Sequence, residues 1–516
     1  MRPQAKKLIA VVLILGLLIG GGLLVGISYF GGDKEPVLDE NGNPVVTTQR
    51  INNRGNNKLP KLAVFEYGGM AYLMENEGKL YNLEFSMSPD DIVRGIQSGD
   101  YVGGSMSLDG LASTLEMFKE GRKDVQIVMI TGRSNGADGI VGSAKVQTLK
   151  DLAKPGVKLG YTPYLVNHFI LGYLMKIGTW DAAELVQLRK NMEPFSDVKL
   201  GESSFYNGDL DAIALWQPNL NNALAKTKQK EPLISSSAAP DLVCDVIFFT
   251  TEYIQKNPDK IVEFVDSYIQ AVNGGNLVAN LKRMESFAGM SDTEAKENVY
   301  GIDFAGWEDN NNFFKGSGKR TFFTAMDVWM AENKHFPEAP VNIEAAWADT
   351  LFYPDAVNAL ADKYKGTEPT TELVIETKPA VVDDEGINRA ALISKVSSVE
   401  FEPQNAVTDG KEFLDKGAAF TELDAYVEIA KILSGTVIEI HGHAAPVKGV
   451  GKEFGGVLSE ERAQTVADYF ISKGIDPRRI QVFGHGSETP IKNADGSVNM
   501  EKSRRTVIEF SQNFGG

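Results

Sequence analysis

The stretch Tyr206–Pro218, which reads YNGDLDAIALWQP, decides the fold expected for this chain. Asn207–Asp209 is a strong turn signal, and the apolar run Ala212–Leu215 has the length of a buried strand. A buried strand that ends at Trp216 and Gln217 delivers both side chains to the carboxyl edge of a parallel sheet, where open α/β sheets hold small ligands. The sequence therefore predicts an α/β domain in which Trp216 and Gln217 contact a ligand.

Further segments from Lys61 onward look like strands that run into short polar or glycine-containing loops. They lie at residues 62–65, 101–104, 125–130 and 157–161. A helix is predicted at 165–176, and the free N–H groups at its start suit an anionic or carbonyl group. The junction residues are the remaining candidate ligand contacts: Tyr67, Gly68, Ser105, Ser107, Thr131, Arg133, Tyr161, Thr162 and His168.

The order of these junctions, together with Ser98-Gly99-Asp100, resembles periplasmic solute-binding proteins over residues 61–360. The similar group serves nitrate, sulfonate, taurine and thiamine-precursor transporters. The resemblance implies two α/β lobes that close over a small molecule, with the candidate residues as its contacts. Tyr67, Tyr161 and Trp216 suit stacking on a flat ligand, whereas Arg133 and His168 suit an anion. Both kinds of ligand remain open.

The pattern gives no sign of catalysis. Residues 257–272 form an amphipathic helix with Asn257 as its cap and Pro258 in its first turn, and its apolar stripe belongs to a core. Asp209 and Asp211 lie two apart beside a turn, where such a pair is solvated. No nucleophile and base can be placed together, so neither an enzyme nor a cofactor is expected.

The N-terminus predicts a membrane anchor. The uncharged run Leu8–Phe30 is long enough, at about 1.5 Å per residue, to cross a hydrocarbon core of about 30 Å. Lys6 and Lys7 precede it and Asp33 follows, so the positive-inside rule leaves the rest of the chain in the periplasm. An uncleaved single-pass inner-membrane anchor is favoured over a cleaved signal peptide, for which Gly31-Gly32 is the alternative site.

The charge and the cysteine content argue against nucleic-acid binding and against a disulfide within the chain. The chain of 516 residues carries a net charge of −17 and one cysteine, Cys244. An acidic chain without a basic cluster is not expected to bind nucleic acid, and one cysteine forms no intrachain disulfide. Its five scattered histidines show no zinc spacing. The length indicates two to four domains.

A second set of motifs lies near the C-terminus. A strand is predicted at 437–443, and Ser459 is expected to cap a helix whose buried stripe includes Val466 and Phe470. His441 and His443 lie on one face of the strand, although a metal site is the less favoured interpretation there.

These motifs resemble the OmpA-like peptidoglycan-associated domain. In that family an Asp and an Arg grip diaminopimelate of the wall peptide. Arg462 falls on the Arg position, but Ala445 stands at the Asp position, Gly455 at a family Asn and Ser503 at another. Loss of the charge-assisted bond is expected to weaken wall binding by about 1.5–3 kcal/mol. Wall binding through Arg462 and a scaffold that contacts proteins are both open.

The sequence therefore predicts an anchor (1–30), a spacer (31–59), a two-lobe α/β solute-binding domain (60–365), a linker (366–389) and an α+β OmpA-like domain (390–516). The expected function is capture of a small polar or aromatic molecule in the periplasm, with a permease or another envelope protein as partner. The alternatives are a tether whose binding fold docks proteins and an enzyme on a recycled binding fold.

Overall fold

A computed structural model describes residues 59–65, 67–86, 89–121, 123–195, 197–229, 231–335, 345–367, 391–397, 399–402, 410–446 and 452–512. The predicted anchor, most of the spacer and most of the linker lie outside these residues. Within the described ranges, no helix combines the length and the apolar character needed to span a bilayer.

Residues 61–364 are here called the two-lobe domain, and their described part contains eleven strands in two sheets. The strands are β1 (Lys61–Val64), β2 (Asn82–Phe85), β3 (Gly103–Ser107), β4 (Val125–Ser134), β5 (Asp138–Gly142), β6 (Leu159–Tyr161), β7 (Met192–Pro194), β8 (Ala212–Trp216), β9 (Ile234–Ser235), β10 (Cys244–Thr250) and β11 (Ile302–Phe304).

Helices cover these sheets. The α-helices of the two-lobe domain are Pro89–Ser98, Leu108–Glu120, Val166–Ile177, Ala182–Asn191, Val198–Asn207, Asn219–Thr227, Thr251–Lys256, Pro258–Gly274, Leu277–Leu281, Asp292–Glu297, Trp307–Asn312, Gly318–Asn333, Asp355–Ala359 and Ala361–Tyr364. The predicted apolar stripe of helix Pro258–Gly274 is confirmed, because Ile261, Val265 and Ile269 pack in one core with β1 and β10.

Each sheet belongs to one lobe. The first has the order β11-β4-β10-β3-β1-β2, with β1 parallel to β2 and β3 and with β10 antiparallel to β3 and β4. The second has the order β7-β6-β8-β5-β9. The chain leaves the first sheet between β4 and β5 and returns between β9 and β10. These two crossings, residues 134–138 and 235–244, join the lobes.

The sequence located most strands, but it ended two of them too early. The strand expected at 101–104 is Gly103–Ser107, and the strand expected at 125–130 continues to Ser134. Ser105, Thr131 and Arg133 are therefore strand residues rather than loop residues. The lack of a Cβ atom at Gly103 and Gly104 explains the first shift, because a Cβ atom at Gly103 would lie 2.4 Å from the Phe248 carbonyl oxygen of the neighbouring strand.

The C-terminal domain, residues 391–512, is a four-stranded sheet with helices on one face. Strands β12 (Ala391–Ser397), β13 (Thr436–His443), β14 (Ile480–Gly484) and β15 (Arg505–Gln512) have the order β12-β15-β13-β14. The α-helices are Lys416–Ile432, Lys452–Ser472 and Met500–Ser503. Ile440, Phe510 and Phe470 lie in its buried core.

Ser459 does not cap a helix, which corrects the prediction. The helix begins at Lys452, so Ser459 lies in its interior. The Ser459 hydroxyl donates to the Gly456 carbonyl at 2.7 Å and accepts from the Gly486 amide at 2.9 Å. The helix runs close to β13 there, since a Cβ atom at Gly442 would lie 1.9 Å from the backbone carbonyl oxygen of Ser459. The serine ties the helix to the loop after β14.

The two domains meet at the second crossing. The Gln512 amide nitrogen donates to the hydroxyls of Ser235 at 2.9 Å and Ser237 at 2.8 Å, and its oxygen accepts from the Ser235 amide at 3.2 Å. The Gly435 amide donates to the Ala238 carbonyl at 3.2 Å. A Cβ atom at Gly435 would lie 1.8 Å from the Ser237 oxygen, so this contact requires glycine.

Candidate ligand-binding cleft

The first lobe brings two carboxylates to the junction of the lobes. β3 ends at Ser107, whose hydroxyl oxygen accepts from the Gly110 amide at 3.4 Å and so begins helix Leu108–Glu120. This cap places Asp109 in the first turn, with 1% of its surface exposed. Asp245 lies directly opposite Ser107 in the pairing of β10 with β3, and the Tyr67 hydroxyl interacts with its carboxyl group.

The first crossing supplies a third carboxylate. Asp138 begins β5, and one of its oxygens accepts from the Ser134 hydroxyl at the end of β4. Ser236 lies on the second crossing, and its hydroxyl oxygen accepts from the Gly136 amide at 2.8 Å and the Asp138 amide at 3.2 Å. The two serine hydroxyls are 2.7 Å apart. Asp138 is therefore fixed where the two crossings touch.

Burial makes the charged forms of these carboxyl groups unfavourable. Desolvation raises the pKa of Asp109 and of Asp138 to about 7, and Asp245 adds to both shifts. Desolvation also raises the pKa of Asp245 to about 6, although the nearby Tyr67 hydroxyl opposes this shift. The Ser107 hydroxyl lowers the Asp109 pKa in part, yet neither Asp109 oxygen has a hydrogen-bond partner of good geometry.

No protein cation balances this charge among the described residues, because Asp109, Asp138 and Asp245 form no ion pair with a lysine, an arginine or a histidine there. Their spacing is also wide. Within the same ranges, a group of three ligand atoms less than 4.8 Å apart occurs elsewhere and does not include them. The three carboxylates suit several N–H donors of one molecule better than they suit a single metal ion.

The predicted anion contact Arg133 already has acidic partners. It is paired with Asp241 at 3.2 Å and with Asp309. Burial alone would lower the pKa of Arg133, but these carboxylates raise it above its ordinary value. The guanidinium joins the second crossing to helix Trp307–Asn312.

The predicted contact His168 lies in a second buried cluster. Its Nδ1 accepts from the Tyr164 amide at 3.1 Å, and its Nε2 is 3.4 Å from Glu332. Arg189 donates to both Glu332 oxygens, at 2.9 and 2.7 Å. The ring also packs against Trp329, with 5.4 Å between centroids.

Trp329 links this cluster to the carboxylates. Its indole nitrogen donates to the Asp109 carbonyl at 3.0 Å, whereas its ring contacts Phe169 and Tyr164 of the other lobe. Helix Gly318–Asn333 thus contacts both lobes through Trp329.

The remaining predicted contacts are divided among several places. Trp216 is paired with Asp138 across β8 and β5, and it is partly exposed. Thr162 is buried and its hydroxyl has no hydrogen-bond partner. The other predicted contacts interact with neighbouring residues of the chain. Gln217 donates to Asn221, the Ser105 hydroxyl accepts from the Phe65 amide, and Thr131 donates to the Asp245 carbonyl. Gly68 packs on Val299, and Tyr161 packs on His168.

Sequence reasoning missed the three carboxylates. Asp109 and Asp138 lie in ordinary polar contexts, and only their place at a strand or helix end in the fold brings them together. Asp245 carried a usable signal, because it is a lone carboxylate inside the apolar run Leu242–Phe249. A charge in such a run requires an explanation.

Arg462 of the C-terminal domain is buried. Its side chain donates to the Gly410 carbonyl at 2.8 Å and the Glu402 carbonyl at 3.2 Å, and it lies over the Phe401 ring. Burial lowers the pKa of Arg462 to about 10. The guanidinium thus ties the segment before helix Lys416–Ile432 to helix Lys452–Ser472, and its role toward peptidoglycan stays a prediction.

The OmpA family matches residues 413–504, which hold most of this four-stranded domain. Residues 413–504 are an OmpA domain. Outer membrane protein A of Bordetella avium is 43% identical over 53 residues, 10% of this chain and 27% of that protein. The sodium-type flagellar protein MotY of Vibrio parahaemolyticus is 39% identical over 62 residues, 12% of this chain and 21% of that protein. The chain thus spans about a quarter or less of these relatives, so the similarity concerns the OmpA domain.

Solved structures that are similar to part of this chain include periplasmic solute-binding proteins. A periplasmic sulfonate-binding protein of Methylobacillus flagellatus is 15% identical with a TM-score of 0.46, over 61% of this chain and 98% of that one. The nitrate-binding protein of Synechocystis is 13% identical with a TM-score of 0.42, over 60% and 89%.

Proposed function

We propose that the chain is an envelope protein whose two-lobe domain captures a small molecule with a positively charged amino group. The observation that carries this proposal is the group of three carboxylates at the junction of the lobes. Capture is a binding step without chemistry, since the lobes would close on the molecule and present the closed form to a partner.

The charge balance favours a cation over an anion. An ammonium group would relieve the repulsion among Asp109, Asp138 and Asp245 and would donate hydrogen bonds to oxygens that lack partners. The two basic residues expected to meet an anion, Arg133 and His168, are engaged by Asp309 and Glu332 instead. A nitrate or sulfonate would add charge to an already acidic site.

Aromatic side chains frame the same place. Tyr67 lies against Asp245, and Trp216 is paired with Asp138; both rings are partly exposed. An aromatic face attracts a cation and packs on the apolar part of an organic amine. The expected ligand is therefore an organic amine rather than a bare metal ion.

The proposed location follows from the sequence. The uncharged run Leu8–Phe30 would hold the chain in the inner membrane and leave both domains in the periplasm. A permanent anchor suits a sensor or scaffold as well as a transport feeder, so the partner is a permease or another envelope protein.

A thermal-shift screen of the full chain tests the ligand class. We expect one or more of putrescine, choline and arginine to raise the melting temperature by several degrees, since a ligand at about 100 times its Kd adds ~2.7 kcal/mol. Ethanesulfonate and nitrate are expected to give no shift. The shift should be larger at pH 8 than at pH 5, because a cation binds the ionised carboxylates, whose pKa values are about 6 to 7.

Two variants make this screen specific. Asp138→Asn should abolish the shift, whereas Asp209→Asn, a change at an exposed residue outside the cleft, should retain it. A shift with ethanesulfonate but not with amines would show that the ligand class is wrong. No shift with either class would favour a protein-docking tether.

We propose that the OmpA domain faces the cell wall and binds it weakly. Ala445 replaces the carboxylate that the family uses for the ammonium of the wall peptide, and Arg462 is committed to backbone carbonyls. A scaffold for other envelope proteins is the second candidate, which the burial of Arg462 favours.

Sedimentation with purified peptidoglycan separates these two candidates. Ala445→Asp should increase the retained fraction about ten-fold, since a charge-assisted hydrogen bond contributes about 1.5–3 kcal/mol. Ala444→Asp, at the neighbouring and equally buried position, should not. Equal retention of the parent and both variants would remove position 445 from wall binding and favour the scaffold.

A further inference from the structure

The sheet of the OmpA domain brings two glutamates face to face. Glu439 of β13 pairs directly with Glu509 of β15 in an antiparallel register. Both point away from the helix-covered face, since their neighbours Ile438, Ile440 and Ile508 are fully buried. Like charges directly opposite each other destabilise a sheet. Within the described residues, neither glutamate forms an ion pair with a lysine or an arginine.

A histidine completes the group. His441 is two residues along β13 from Glu439 and therefore shares its face, and its Nε2 is 3.9 Å from a Glu509 oxygen. The other ring nitrogen, Nδ1, is 2.8 Å from Nε2 of His485. Phe483 stacks on the same ring, with 4.8 Å between centroids. Nε2 of His441 thus faces the glutamates, while Nδ1 is hydrogen-bonded to His485.

The second nitrogen contact has the form that metal-bound histidines use. When Nδ1–H donates to His485, the lone pair remains on Nε2, on the side of the glutamates. The hydroxyls of Ser394 and Ser511 donate to the glutamates at 2.5 and 3.4 Å, and so orient the carboxylates from outside.

We propose that Glu439, His441 and Glu509 bind a divalent transition-metal ion of the Zn²⁺ type. Their ligand atoms lie within 4.8 Å of one another, and side-chain rotation can bring them to the separations of about 3.3 Å that a tetrahedral Zn²⁺ requires. The ion would neutralise the opposed carboxylates and leave a coordination position for water or a partner's side chain. One imidazole and two carboxylates favour Zn²⁺ over Mg²⁺, which prefers six oxygen ligands.

The sequence indicated a metal site at His441 and His443 only as the less favoured interpretation, and it did not identify Glu439 and Glu509. The chain showed no zinc spacing, because β13 and β15 contribute the ligands from residues 439 and 509. Only the strand pairing brings them together. The inference is independent of the amine proposed for the two-lobe domain, and the two can fail separately.

Titration calorimetry with ZnCl₂ on the full chain, after chelation and dialysis, tests the site. We expect one equivalent to bind, with an affinity at least about ten-fold weaker in both His441→Ala and Glu509→Gln. His335→Ala, an exposed histidine in the other domain, should bind like the parent. Co²⁺ should give visible absorption bands in the parent that both site variants lose.

Stability of the metal-free protein separates a lost ligand from a lost fold. Glu509→Gln removes the repulsion with Glu439, so its metal-free melting temperature should equal or exceed that of the parent. The assignment is wrong if the parent binds no Zn²⁺, if His441→Ala and Glu509→Gln bind it with parental affinity, or if MgCl₂ displaces it at equal concentration.

Discussion

Replacing Glu332 with glutamine is expected to lower the free energy of unfolding of the two-lobe domain by ~3 kcal/mol at pH 7. Glu332 is 2% exposed on helix Gly318–Asn333 and accepts two hydrogen bonds from Arg189 of helix Ala182–Asn191. It also faces His168 of helix Val166–Ile177. The substitution leaves the guanidinium without its counter-charge where little water can replace it. Urea unfolding followed by tryptophan fluorescence measures the loss.

The difference between parent and Glu332→Gln should shrink in acid. Burial would raise the Glu332 pKa, but Arg189 and His168 outweigh it and hold the pKa at about 2. A carboxyl with a depressed pKa stabilises the fold above its unfolded pKa of about 4.3 and loses that contribution as the pH falls toward 2. The gap should therefore be constant from pH 7 to 5 and narrow below pH 4.

A matched control lies on the same helix as Glu332. Asp327 of helix Gly318–Asn333 is paired with Lys176 of helix Val166–Ile177, but both side chains are exposed. Asp327→Asn should cost less than about 1 kcal/mol, as exposed ion pairs do. Equal losses in Asp327→Asn and Glu332→Gln would contradict a special role for the buried group.

Replacing Asp109 with asparagine should have the opposite effect and stabilise the ligand-free protein by about 2–4 kcal/mol at pH 8. The Asp109 carboxyl is buried without a partner, and burial raises its pKa to about 7. An amide of the same shape carries no charge and can donate to the neighbouring carboxylates. Urea unfolding at pH 8 and pH 5 provides the comparison.

The pH dependence of Asp109→Asn has a defined sign. A carboxyl with a raised folded pKa leaves the fold fully stable below its unfolded pKa of about 3.9, and stability is lost as the pH rises through 7. The advantage of the variant should therefore be small near pH 4 and largest at pH 8. Asp209→Asn, at an exposed position, should show no such trend. A variant less stable than the parent at pH 8 would mean that Asp109 has a counter-charge in the free protein.

The sequence predicted elements whose signals are local. Helix Pro258–Gly274 was found from its cap, proline and apolar stripe, and strand Ala212–Trp216 from an apolar run after a turn. The predicted ends of strands and helices were wrong where they depend on contacts with other elements. β3 extends to Ser107 because its glycines let β10 approach closely, and Ser459 lies within a helix because a loop 27 residues later bonds to it.

The partners of the candidate site residues lie far from them in the sequence. Arg133 and His168 were predicted to meet an anionic ligand, but each has an acidic partner in the chain, Asp309 and Glu332, which lie 176 and 164 residues away. A pattern within ten or twenty residues contains no information about such pairs. The same holds for Asp109 and Asp245, whose proximity follows from a strand that returns from the second lobe.

The short run Ser235–Ser237 has a mechanical consequence. The Ser236 hydroxyl accepts hydrogen bonds from the Gly136 and Asp138 amides of the first crossing. Ser235 and Ser237, on either side, accept hydrogen bonds from Gln512 of the OmpA domain. A rotation of the lobes must displace all three serines, because they are adjacent along the backbone. If the lobes rotate as proposed, tension applied to β15 would load the same three serines, so a pull on the OmpA domain would change the affinity for the proposed ligand.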